Sequence, residues 1–70
     1  MTTPTLAKII HSEFNVFQFI NPNGKVYRIY EQRNGSPLGI KDMHTKVIHP
    51  LSEQFYKSLY FSVRYNDVIN

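Results

Sequence analysis

The 70-residue chain contains no cysteine and no tryptophan, and only three glycines. Without cysteine there is neither a disulfide framework nor a thiolate metal site, and reducing and oxidising compartments are both open to it. Three glycines do not make a phosphate-cradling loop, and two of them sit in Asn-Gly pairs that read as turns. No apolar run approaches the ~18 residues of a membrane span. The opening MTTPTLAKII lacks the basic start and long apolar stretch of a secretory signal. The expectation is a soluble, cytoplasmic protein with no membrane partner.

Charge of one sign is scarce as well. Eight Lys/Arg against five Asp/Glu give a net +3, which is compatible with nucleic acid or an acidic protein and compels neither. No repeat, low-complexity tract or linker divides the chain, so residues 1–70 read as a single small domain. What the chain has in quantity is aromatic surface: five Phe and five Tyr, 14% of residues. A chain this short buries only ~60% of its unfolded surface, so some of those rings are expected to stay near water.

The clearest pattern runs from Phe14 to Gln32, two alternating segments joined by Asn21-Pro22-Asn23-Gly24. Proline presets the first central position of a type I turn, and glycine takes the left-handed position that closes a three-residue loop. That turn opposes Ile20 to Val26, Phe19 to Tyr27, Gln18 to Arg28, Phe17 to Ile29 and Val16 to Tyr30. Alternation then gathers Phe17, Phe19, Tyr27 and Ile29 on one face, the expected core face. The other face carries Phe14, Val16, Ile20, Val26 and Tyr30, with Gln18 and Arg28 among them.

Asn34-Gly35 predicts a second turn, a two-residue type I′ loop with Arg33 opposite Ser36. Leu38 and Ile40 would then join the core face, and Pro37 would suit an edge strand. At the N-terminus, Thr3-Pro4 followed by Leu6, Ile9 and Ile10 predicts a short helix over residues 4–12, with a strand as the competing reading. Val47-Ile48 can add a brief further strand. From Pro50 onward, Leu51, Phe55, Leu59 and Val63 recur at helical spacing, with Tyr60 and Arg64 on the opposite side. The alternation at 58–65 also fits a strand. The expected fold is α+β: a three-stranded antiparallel meander (14–20, 25–33 and roughly 36–41) packed against a C-terminal helix, with a short N-terminal helix. In element order alone this resembles the small DNA-binding domains at the start of some integrases. Element order does not carry function, and no motif in the chain points to a family.

Chemistry-bearing residues are sparse. His44 and His49 belong to no HExxH or Cys/His framework and read as solvated loop histidines, so neither metal nor cofactor is expected. The serines lack a nucleophile-elbow context, and Glu13 and Glu31 read as solvated charges at a sheet edge. No catalytic residue is expected. Gln18, Arg28, Tyr30 and Arg33 are the candidate partner contacts, because tyrosine and arginine are the residues enriched at binding hot spots. The expected function is a small non-catalytic protein-binding module. It would act as an inhibitor or modulator covering a surface of a larger enzyme or nucleoprotein complex, of the kind phages and mobile elements carry. The alternative is a small nucleic-acid-binding protein using the basic and aromatic face of its sheet, and homodimerisation through the apolar patch is a further option. Both options require that second face to be uncovered rather than a second half of the core.

Overall fold

A computed structural model describes residues 5–64 of the chain. The reversal at Asn21 forms as its chemistry dictates. The Gly24 N–H donates to the Asn21 carbonyl at 2.9 Å, and the Asn21 N–H donates to the Lys25 carbonyl at 3.0 Å. Gly24 has φ +86°, the left-handed conformation that a side chain would strain. Strands β2 (Asn15–Ile20) and β3 (Val26–Glu31) follow in the expected register, from Ile20 opposite Val26 to Asn15 opposite Glu31.

The second reversal differs from expectation. Gly35 N–H donates to the Gln32 carbonyl and Gln32 N–H to the Ser36 carbonyl, both at 2.8 Å, with Gly35 at φ +93°. It is a three-residue loop like the first rather than a two-residue type I′ turn. That shift would exchange the faces of β4 (Pro37–Asp42), but an irregularity between Tyr30 and Glu31 restores them. Glu31 opposes Pro37 and Tyr30 opposes Gly39, so Leu38 is left over as a bulge. Ile29 therefore still faces Ile40, whereas Leu38, expected in the core, is exposed.

Two further strands extend the meander. The N-terminal segment is strand β1 (Thr5–Ile9), paired antiparallel to β2 with Leu6 opposite Phe19 and Ile9 opposite Val16. The expected helix over 4–12 is thus overturned. Three apolar positions are too few to stabilise a nine-residue helix, which is marginal in water. The strand instead satisfies the outer backbone groups of β2, and Ile10, the third of those positions, ends in solvent. Beyond β4, Asp42 shapes a turn by accepting from the His44 N–H at 2.8 Å, and the chain returns as β5 (Val47–His49). Lys41 opposes Ile48 across that last pair, so β4 is not the sheet edge. The sheet has five strands in the order β1-β2-β3-β4-β5 rather than three, and the likeness in element order to integrase domains lapses. At Gly39 a Cβ would stand 2.9 Å from the His49 carbonyl oxygen, so β5 approaches where no side chain intervenes.

Helix α1 (Gln54–Arg64) crosses one face of the sheet. The segment 58–64 is helical, and position 65 lies outside the described residues. Tyr56, Leu59, Tyr60 and Val63 turn inward, the i, i+3, i+4, i+7 stripe of a helical face. The expected row Leu51, Phe55, Leu59, Val63 drifts around the helix, which leaves Phe55 59% exposed and brings Tyr60 inside. The core joins Phe19, Tyr27, Ile29 and Ile40 of the sheet to Tyr60 and Val63 of the helix.

Candidate functional site: the uncovered sheet face

Because side chains alternate, the sheet face away from α1 is fixed by the same register. Its central row runs Ala7, Gln18, Arg28, Lys41, Ile48 across the five strands. Ile9, Val16, Tyr30 and Gly39 form the row on one side, and Thr5, Ile20 and Val26 the row on the other. Phe14 closes one end, its ring edge-on to Tyr30 at 6.4 Å between centroids. Val16, the cross-strand neighbour of Ile9 and Tyr30, is only 1% exposed yet stands outside the helix-covered cluster. Gly39 is buried as well, Ile9, Gln18, Ile20, Val26, Arg28, Tyr30 and Lys41 are half-buried, and Thr5, Ala7 and Ile48 (60%) are exposed at the rim.

Electrostatics separate the two faces. Both strand carboxylates point toward the helix side and are buried and paired. Glu31 accepts from the Tyr60 hydroxyl at 2.6 Å and faces Arg64 Nε at 2.7 Å. Asp42 meets Lys25 Nζ at 3.2 Å. Burial pushes the Asp42 carboxyl up, but the His44 N–H, the Lys25 ammonium and the Thr45 N–H outweigh it and hold the group below its ordinary value. Burial, reinforced by the Glu31 hydrogen bond, raises the Tyr60 phenol, which stays a protonated donor. These groups staple the helix and a turn in place. Glu31 is therefore not the solvated edge charge its sequence context suggests.

The open face, by contrast, carries Arg28 directly opposite Lys41 and no strand carboxylate. Arg28 Nε donates to Gln18 Oε1 at 3.2 Å, which fixes the plane of the guanidinium. Like charges directly opposite destabilise a sheet. Lys41→Glu, which turns repulsion into attraction, is expected to raise unfolding stability in urea by about 0.2–1 kcal/mol. No gain in stability would mean that the two cations already splay apart into water.

The structure brings three of the four candidate contacts, Gln18, Arg28 and Tyr30, onto this one face. Arg33 is elsewhere. From the β3–β4 turn its guanidinium donates to the His11 carbonyl and to Asn15 Oδ1, tying that turn to the β1–β2 connection. Lys41 belongs with the three, and the opposition of Ile29 to Ile40 already implied it. Ile9 and Ala7 were hidden by the helical reading of β1.

Elsewhere, an open groove of about 490 Å³ lies between the β2–β3 and β4–β5 turns, lined by Asn23, Lys25, Met43 and His44 among others. Its ammonium is already committed to Asp42. His49 is half-buried, stacked on Tyr56 at 4.2 Å and 3.2 Å from Glu53 Oε2. Among the described residues no three His, Asp or Glu side chains converge on a cation position. No helix among them is long and apolar enough to cross a membrane.

The described residues thus form a small two-layer α+β fold, an antiparallel five-stranded meander with one helix across one face. No protein-family model, curated protein or solved structure matches it.

Proposed function

We propose that the protein is a non-catalytic binding module that docks its helix-free sheet face on a larger protein, as an inhibitor or modulator of an enzyme or nucleoprotein complex. The observation that carries this reading is the composition of that face. Ile9, Ile20, Val26, Tyr30 and Ile48 surround Gln18, Arg28 and Lys41, an apolar field with an arginine and a tyrosine at its middle. A nucleic-acid reading draws on the Arg28–Lys41 pair alone. Tyr30 and Phe14 are the only rings on this face among the described residues, and they are set edge to face at 6.4 Å rather than side by side as a platform for successive bases.

Photo-crosslinking from each side of the molecule tests the docking reading. With p-benzoylphenylalanine at position 18 or 48, a discrete covalent adduct is expected in the native host. The same probe at Lys57, on the exposed side of α1, is expected to give none. Equal labelling from both sides would remove the reading, and an adduct destroyed by nuclease would replace it with the nucleic-acid one.

A further inference from the structure

We infer that the occupant of this face is an acidic protein segment that presents a carboxylate between two apolar side chains, and that it is not a second copy of this chain. The inference rests on the docking reading above and specifies its partner.

Arg28 supplies the first argument. A guanidinium has five N–H donors, and Gln18 takes the one on Nε. Among the described residues nothing accepts from the terminal nitrogens, and the neighbour across the ladder is another cation. A carboxylate seated there takes two parallel N–H bonds from Arg28 and relieves its repulsion with Lys41. The cross-strand cost is thereby recovered on binding.

The rows supply the second. Side chains two residues apart along a strand are separated by about 7 Å. Ile20 and Val26 stand that far from the Gln18–Arg28 row on one side, and on the other Tyr30, beside the buried Val16. A strand with apolar residues two before and two after an acid has the matching repeat. A helix carrying them one turn before and after, about 5.4 Å away, also fits.

Charge excludes the alternatives. A two-fold interface puts one patch against itself, so two copies each of Arg28 and Lys41 would be gathered in one interface. No strand carboxylate stands on this face to offset them: Glu31 and Asp42, the two within the described strands, are buried and paired on the other side. For nucleic acid, affinity comes from neutralising many phosphates, and two cations hemmed by isoleucine and valine neutralise few.

Selection from a displayed random-peptide library on the immobilised full-length chain tests this, with a random single-stranded DNA pool as a parallel arm. The enriched peptides are expected to share Asp or Glu between apolar residues. Charge reversal by Arg28→Glu with Lys41→Glu should weaken each by at least about tenfold, and replacing the peptide acid by lysine should restore binding to the reversed protein. Circular dichroism checks that the variants fold, and Lys41→Glu alone, expected to be the more stable chain, stands in if the double variant does not. Enriched peptides that lack an acid but lose binding on Ile20→Asp would overturn the carboxylate and leave the docking face standing. Enrichment indifferent to all these variants, or none, would overturn both. Enrichment confined to the DNA arm, or a dimer abolished by Ile20→Asp, would assign the face to a different occupant.

Discussion

Arg64→Met is expected to destabilise the fold by about 3 kcal/mol, near the lower end for breaking a buried ion pair by removing one partner. The Glu31 carboxylate is 1% exposed and would keep only the Tyr60 hydroxyl, while the guanidinium it loses is 40% exposed. That partial access to water is why the lower end applies. A core in a chain of this size rarely supplies more than about 3–5 kcal/mol in total, so the variant should keep no more than about 2 kcal/mol and unfold measurably at room temperature. Methionine keeps part of the packing over the Phe17 ring, where the guanidinium carbon now stands 5.0 Å from the centroid. The loss therefore reports mainly on the stranded charge. Tyr60→Phe leaves the ion pair intact and should cost only about 1 kcal/mol. Replacing all three polar partners, as Glu31→Leu, Tyr60→Phe and Arg64→Met together, should recover much of the stability, because nothing is then buried unpaired. Urea unfolding followed by circular dichroism distinguishes these variants. A cost below about 1 kcal/mol for Arg64→Met would mean that water reaches Glu31.

A comparable loss is expected from Ile40→Ala, about 2–5 kcal/mol, against a change within about 0.5 kcal/mol for Ile48→Ala. The two isoleucines sit one strand apart on opposite faces of the ribbon. Ile40 is 0% exposed, opposite Ile29 and beneath the helix, so truncation leaves a cavity that the surrounding strands cannot close. Ile48 is 60% exposed at the rim of the face that α1 leaves bare, and removing its methyls mostly returns surface to water. Thermal or urea midpoints for the pair decide which side of the sheet is the core. Similar costs at both positions would mean that something covers the open face in solution.

How much of this was legible in the sequence depends on how local the cause was. The β2–β3 pairing could be read from Asn21 to Gly24 because proline and glycine set backbone angles within the turn itself. From that one register Gln18, Arg28 and Tyr30 fall on a common face without further information. The β3–β4 loop was misjudged by a residue, and the bulge at Leu38 returned Ile29 to Ile40, so the core face survived an error in turn type. β1 was not legible, since its pairing satisfies backbone groups on a strand ten residues away and its own three apolar positions suit two structures. The inward face of α1 was hidden for another reason. Tyr60 and Arg64 are drawn toward a carboxylate buried on β3, and a reading of the helix alone sends polar residues outward. Arg33 illustrates the converse, an arginine occupied by backbone carbonyl and amide groups rather than by a partner.

The missing Cβ at position 39 reaches further than its own ribbon. With the His49 carbonyl seated 2.9 Å from where a methyl would be, the three residues of β5 lie flush on β4, and Pro50 begins the short link to α1 directly afterwards. The approach of the strand that leads into the helix therefore depends on position 39 carrying a hydrogen in place of a side chain. The same strand carries Ile48 on the bare face and His49 stacked on Tyr56. A substitution there would be felt on both sides of the sheet at once, although it touches neither the core nor the cations.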